Sequence, residues 1–236
     1  SLTHLIFVHG FDLPLGGPQC RQRMAQNARD VADARGLRLI EVETNMRAFG
    51  DPHVSWPNAY FGAGLGAVAL LLSPGFRRIH VPASVSYDQL MPMGSHPQLD
   101  PHWSNGSFEL MHDGAELARF DKIRAIADWP PVAGHLRVCY QELEQGLNCG
   151  RCRKCLWTML LLEALGRLEA IGSFPGDIDI RELQRHPPVD KHQRDRFREA
   201  IRMLAERGDK PELQQALKDL LDEGARLRDQ GTFQRL

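Results

Sequence analysis

LRVCYQELEQGLNCGRCRKCLWTMLLLEALG, residues 136–166, carries four of the five cysteines in the chain. Their spacing is Cys139-x9-Cys149-x2-Cys152-x2-Cys155. Two-residue gaps in a Gly-containing turn let neighbouring thiolates converge on one tetrahedral ion, and Gly150 and Asn148 permit the tight backbone this needs. Arg151, Arg153 and Lys154 add positive charge that favours thiolates. Cys155 opens an expected helix over 153–165, closed by Gly166, whose N-terminal dipole acts in the same sense. Four thiolates close a coordination shell and leave no position for water, so zinc held here is structural rather than catalytic. An iron–sulfur cluster is the main rival, because three cysteines at two-residue gaps also suit one, and metal-free thiols are the third reading. Cys20 is remote and reads as a helix or loop thiol. His135, near Cys139, reads as an ordinary loop or strand residue.

Upstream, the chain alternates strands and helices. THLIFVH, over 3–9, is a β-rich apolar run whose continuity suggests a strand covered on both faces. Helical spacing follows over 18–35 up to Gly36, then a second strand over 37–42. An apolar helix over 58–72 contains Gly62, Gly64 and Gly66, small residues that let a helix approach a sheet closely. Ser73-Pro74-Gly75 breaks it before a third strand over 77–82. This alternation predicts an α/β fold, a parallel sheet with crossover helices. Ligands in such sheets bind outside the carboxyl ends of the strands.

A long loop over 91–103, rich in Pro, Gly, Ser and His, points to function or disorder. A helix is expected over 113–127, with Asp113 as N-cap and Glu116 completing a capping box. A further strand is expected over 136–140. Beyond Phe174 the composition shifts to charged amphipathic helices over 190–206 and 211–228, the second opened by Pro211. The expected organisation is therefore an α/β domain over 1–175, including the zinc loop at 139–155, and a helical appendage over 176–236.

Composition bounds the class. With 42% hydrophobic and 25% charged residues and a formal net charge of -1, the 236-residue chain reads as soluble and globular. Nothing marks it as a general nucleic-acid or membrane-surface binder. Clustered cysteines are unlike a secreted disulfide framework, and no basic and apolar leader precedes the first strand, so a reducing cytoplasm is expected.

The run NCGRCRKCLWTMLLLEALG with LRVC upstream resembles the zinc-binding part of the PP-loop ATP pyrophosphatases, in particular the cyano-deazaguanine synthase group. GSHPQLDPHWSNGSFELMHDGAELARFDKIRAIA is similar to that group's substrate-side loop and following helix, and THLIFVHGFD and LIEVETN to its second and third core strands. The resemblance covers residues 3–175. It implies an adenine nucleotide alpha hydrolase-like fold, a structural zinc, and binding of ATP and magnesium. It also implies adenylation of a small carboxylate-bearing substrate, with pyrophosphate released and a nitrogen or sulfur nucleophile displacing AMP.

By the same resemblance, His9, Gly10 and Phe11 would meet adenine. Ser84, Ser86 and Asp88 would contact the nucleotide and the activated group. Gly94, Ser95, His96 and Asp100 would form the substrate loop. His96, Asp100 and Glu116 are the candidates for catalysis; Glu109, His112, Asp113, Arg119 and Lys122, mixed-sign residues near one helix start, are with Glu116 candidates for a catalytic or substrate role, and Glu116 and Arg119 alternatively pair on a solvated face. Trp56 and Trp103 are candidates for stacking on a base or for partial core anchors. The family's Ser-Gly-Gly-x-Asp-Ser phosphate loop occurs nowhere in this sequence. Catalysis then needs a loop lying upstream of Ser1, or the chain is a degenerate member. Two other functions fit the same residues: a non-catalytic nucleotide-binding or interaction module, and a sulfur-transfer enzyme of the same superfamily. The expected partners are a small carboxylate substrate and ATP, with no nucleic acid and no membrane; a homodimer is compatible.

Overall fold

The computed structural model describes residues 1–141 and 143–229. In chain order the strands are β1 (His4–His9), β2 (Arg38–Glu43), β3 (Arg78–Pro82) and β4 (Glu109–Asp113). The helices are α1 (Pro18–Ala34), α2 (Met46–Gly50), α3 (Phe61–Leu72), α4 (Arg119–Ile126), α5 (Val132–His135), α6 (Arg153–Ala164), α7 (Ile180–Leu183), α8 (Lys191–Arg207) and α9 (Pro211–Asp229). Contacts divide the chain into two units, Ser1–Lys122 and Ile123–Leu236.

The first unit is mixed α/β with short parallel sheets. β1 pairs with β2 from His4↔Arg38 to His9↔Glu43, and α1 forms the crossover that parallel pairing requires. β3 pairs with β4 from Arg78↔Glu109 to Pro82↔Asp113. The single parallel sheet expected from the sequence is thus two separate two-stranded pairs. Every residue of β1 is only half-buried, although its continuous apolarity suggested cover on both faces.

β4 takes Asp113, the first residue of the helix expected over 113–127, and a turn over 114–118 follows it. Leu110 and His112 face inward while Glu109, Met111 and Asp113 are exposed, a period-two pattern. Gly114, at φ 80, ends the strand, so Asp113 cannot serve as N-cap, and the helix begins only at Arg119. Across the exposed face Arg78 pairs with Glu109 at 2.6 Å and His80 with Asp113 at 2.7 Å. On the buried face Val81, Phe108 and Leu110 pack with Leu65 and Ala69 of α3.

The connection from β3 to β4 contains the 91–103 loop, which is ordered by contacts with α3. A Cβ on Gly62 would stand 2.0 Å from the Gly94 carbonyl oxygen, and one on Gly66 would stand 2.7 Å from the Trp103 ring. These glycines admit a loop and a tryptophan rather than the sheet, while Leu65 and Ala69 meet the sheet. Gly62→Ala sets side chain against backbone, which cannot yield as a flexible side chain would. It is expected to cost about 1–3 kcal/mol, measured as a lower urea midpoint at unchanged m.

The second unit contains no strand among its described residues. α6 is buried along almost its whole length. Its Leu156, Leu160 and Ala164 share one core with Leu183 of α7, Phe197, Ala200 and Leu204 of α8, and Leu213, Leu217 and Leu220 of α9. The cysteine helix therefore belongs with the C-terminal helices, and the division lies at 122/123 rather than at 175. α8 starts at an Asp190 cap that accepts from the Gln193 amide at 2.8 Å, and it stops at Gly208 with φ 72. No described helix is long and apolar enough to cross a membrane.

Candidate metal centre

Residues 136–140 are not a strand. Their backbone is held instead by one side chain, Asn148. Its Oδ1 accepts from the Val138 amide at 2.9 Å and the Cys139 amide at 3.3 Å. Its Nδ2 donates to the carbonyls of Leu136 at 2.7 Å and Ser173 at 3.0 Å. All four hydrogen-bonding positions of a buried amide are used, and they tie the segment of the first cysteine to that of the other three.

Gly150 sits between Cys149 and Cys152 at φ 69, and a Cβ there would lie 2.6 Å from Pro175 Cγ. The turn needs glycine for both reasons. It directs the amides of Arg151 and Cys152 to Cys149 Sγ at 3.5 and 3.3 Å, while the Gln141 amide donates to Cys139 Sγ at 3.4 Å. Cys155 follows in the first turn of α6.

The sulfurs of Cys139, Cys149, Cys152 and Cys155 all lie within 4.8 Å of one another. Cys149 and Cys155 are 3.8 Å apart, and Cys139 and Cys152 are 4.0 Å apart. A tetrahedral ion with arms of about 2.3 Å has sulfur–sulfur edges of about 3.8 Å, so the four thiols fit one zinc. None is joined in a disulfide. A cubic iron–sulfur cluster sets each thiolate on a different iron and spreads the sulfurs further than a single ion does.

Burial pushes the Cys149 thiol up, but hydrogen bonds from the Arg151 and Cys152 amides and from the Cys139 and Cys152 thiols together bring the pKa down to about 7. Burial and the neighbouring sulfurs push Cys152 and Cys155 up. A bound cation would bring all four to thiolates together, because converging negative sulfurs without one repel. Asn148→Ala leaves two carbonyls and two amides without their partner, at an expected cost of about 2–3 kcal/mol. The checking measurement is the rate of metal loss to a chelator, which rises in this variant.

The other candidate residues are distributed through the first unit. His9 Nε2 meets Glu41 Oε2 at 2.9 Å, Gly10 turns the chain at φ 91, and Phe11 packs on Trp56 with centroids 4.8 Å apart. Ser84 is exposed; buried Ser86 donates to Asp88 Oδ1 at 2.6 Å across a short turn. Asp100 is 1% exposed and accepts from three donors: Ser95 Oγ at 2.6 Å, His112 Nδ1 at 2.7 Å and the His96 amide at 3.2 Å. It is the hub of the loop, a role its sequence position did not reveal. His96 Nδ1 accepts from the Gln98 amide at 3.2 Å. Glu116 is exposed and forms no ion pair with Arg119. Trp56 meets Tyr60 edge-on and Phe61 at a tilt, and Trp103 packs on Gly66, so both tryptophans are used within the fold.

Compared with known protein families, curated proteins and solved structures, the chain matches none.

Proposed function

We propose that this chain is the zinc-stabilised body of an ATP-dependent enzyme. It would adenylate a small carboxylate-bearing molecule for ligation, amidation or nitrile formation. The observation that carries the reading is the convergence of Cys139, Cys149, Cys152 and Cys155, the motif on which the resemblance to PP-loop enzymes rests. Parallel strand pairs whose carboxyl ends carry His9-Gly10-Phe11 and Ala83-Ser84-Val85-Ser86 agree with it. In this reading ATP and magnesium bind at those ends, and the zinc takes no part in the chemistry. A carboxylate oxygen attacks the α-phosphorus of ATP, pyrophosphate leaves, and a nitrogen nucleophile then displaces AMP. The phosphate-binding loop must come from outside this sequence.

The test is exchange of labelled pyrophosphate into ATP, with magnesium and a panel of heterocyclic carboxylates, on the zinc-loaded protein. Carboxylate-dependent exchange supports adenylation. Binding of ATP or AMP without exchange, once the phosphate loop is supplied, favours a non-catalytic nucleotide module. No nucleotide binding at all removes the proposal.

A further inference from the structure

Arg119 is the first residue of α4. It is half-buried, and no described residue gives it a hydrogen bond or an ion pair. Burial lowers the pKa of its guanidinium. A guanidinium has five donors and cannot shed its charge, so burying part of it with no acceptor among the described residues costs free energy. Arg29 and Arg78 of the same unit, by contrast, pair with Glu41 and Glu109.

Lys122 lies three residues further on, on the same helix face. Its Nζ donates to the Ala83 carbonyl at 3.0 Å, immediately after β3. The same nitrogen is 3.6 Å from where a Cβ on Gly114 would stand, immediately after β4. The ammonium thus spans the carboxyl ends of both strands, with two donors left over. Burial lowers its pKa first; Glu116 and Asp113 raise it and the Arg119 charge lowers it. Asp113 is engaged by His80 at 2.7 Å, and Glu116 is exposed and forms no ion pair with either cation.

We propose that Arg119 and Lys122 hold an oxyanion, a phosphate or carboxylate group of a small-molecule ligand, at the carboxyl ends of β3 and β4. The planar guanidinium takes two oxygens of such a group, and the ammonium adds a point charge. Ligands of parallel sheets lie at this end of the strands. The site stands on its own geometry; under the proposed adenylation it would receive either a phosphate of ATP or the substrate carboxylate.

Calorimetric titration of the zinc-loaded full chain with pyrophosphate, and separately with malonate, at constant ionic strength, tests the site. One of the two ligands is expected to bind one to one, and which one identifies the source of the oxyanion. Arg119→Gln and Lys122→Met are each expected to weaken binding at least tenfold. Arg119→Lys, which keeps the charge but loses the fork, falls between Arg119→Gln and the unaltered protein. Circular dichroism establishes that the variants fold, and the anion should raise the Tm of the unaltered protein more than that of Arg119→Gln. Absence of binding by both anions, or equal binding by folded Arg119→Gln, overturns the proposal. Pyrophosphate exchange is a separate readout: anion binding without exchange, once the phosphate loop is supplied, keeps this site and removes only the adenylation reading.

Discussion

Cys155→Ser is expected to empty the metal centre and unfold the second unit. Cys155 is fully buried, in the first turn of α6, next to Leu156 at the heart of the helical core. A serine hydroxyl is a poor substitute for a soft thiolate ligand, and three thiolates leave the shell open. Structural zinc contributes an apparent binding free energy of about 10–16 kcal/mol, which appears as folding free energy. That is as large as the whole stability of an ordinary domain, about 5–15 kcal/mol. The expected result is loss of the unit's cooperative thermal transition, together with zinc content near zero. Cys20→Ala, far from the cluster in sequence, is expected to retain the metal. A Cys155→Ser protein that melts like the parent would show that the core of α6, α8 and α9 stands without zinc. Lower pH is expected to weaken metal retention, because the thiols must lose their protons to bind.

Asp100→Ala is expected to be the most damaging single change in the first unit. Its carboxylate receives Ser95, His112 and the His96 amide while only 1% exposed. Alanine strands all three donors in the interior, at roughly 3–5 kcal/mol in total. Asp100→Asn keeps the shape and one acceptor oxygen, and should lose about half as much. The urea midpoint measures both losses, and faster hydrogen exchange over 94–104 localises them to the loop. A midpoint unchanged in Asp100→Ala would mean that the carboxylate does not organise this connection.

Much of the fold is legible in the sequence, and the misses have physical causes. Expected and observed ends of α1, α3, α6, α8 and α9 agree to within a few residues, because each has a local stop or start: Gly36, Ser73-Pro74, Gly166, Asp190 and Pro211. β4 was missed because parallel strands are expected to be continuously apolar, whereas this one alternates, with one face solvated. A capping-box spacing at Asp113 and Glu116 competed with that alternation, and the positive φ of Gly114 decided against it. The expected strand at 136–140 has apolar residues, but Asn148 supplies the partners a ladder would have supplied. Placing the boundary at 175 followed a change in composition, while the buried face of α6 is completed by helices beyond it.

The metal centre was the most legible feature because its information is local. Cys139-x9-Cys149-x2-Cys152-x2-Cys155 specifies the donors, and Gly150 specifies the turn. The partners of Asp100 depend instead on tertiary placement. His112 comes from β4, twelve residues away, and nothing in the spacing of the loop announces it.

X-ray absorption at the zinc edge, combined with elemental analysis of the purified protein, tests the central claim most directly. One zinc per chain surrounded by four sulfurs at about 2.3 Å is the predicted result. Iron with inorganic sulfide, or a metal bound by three sulfurs and an oxygen or nitrogen, would contradict it.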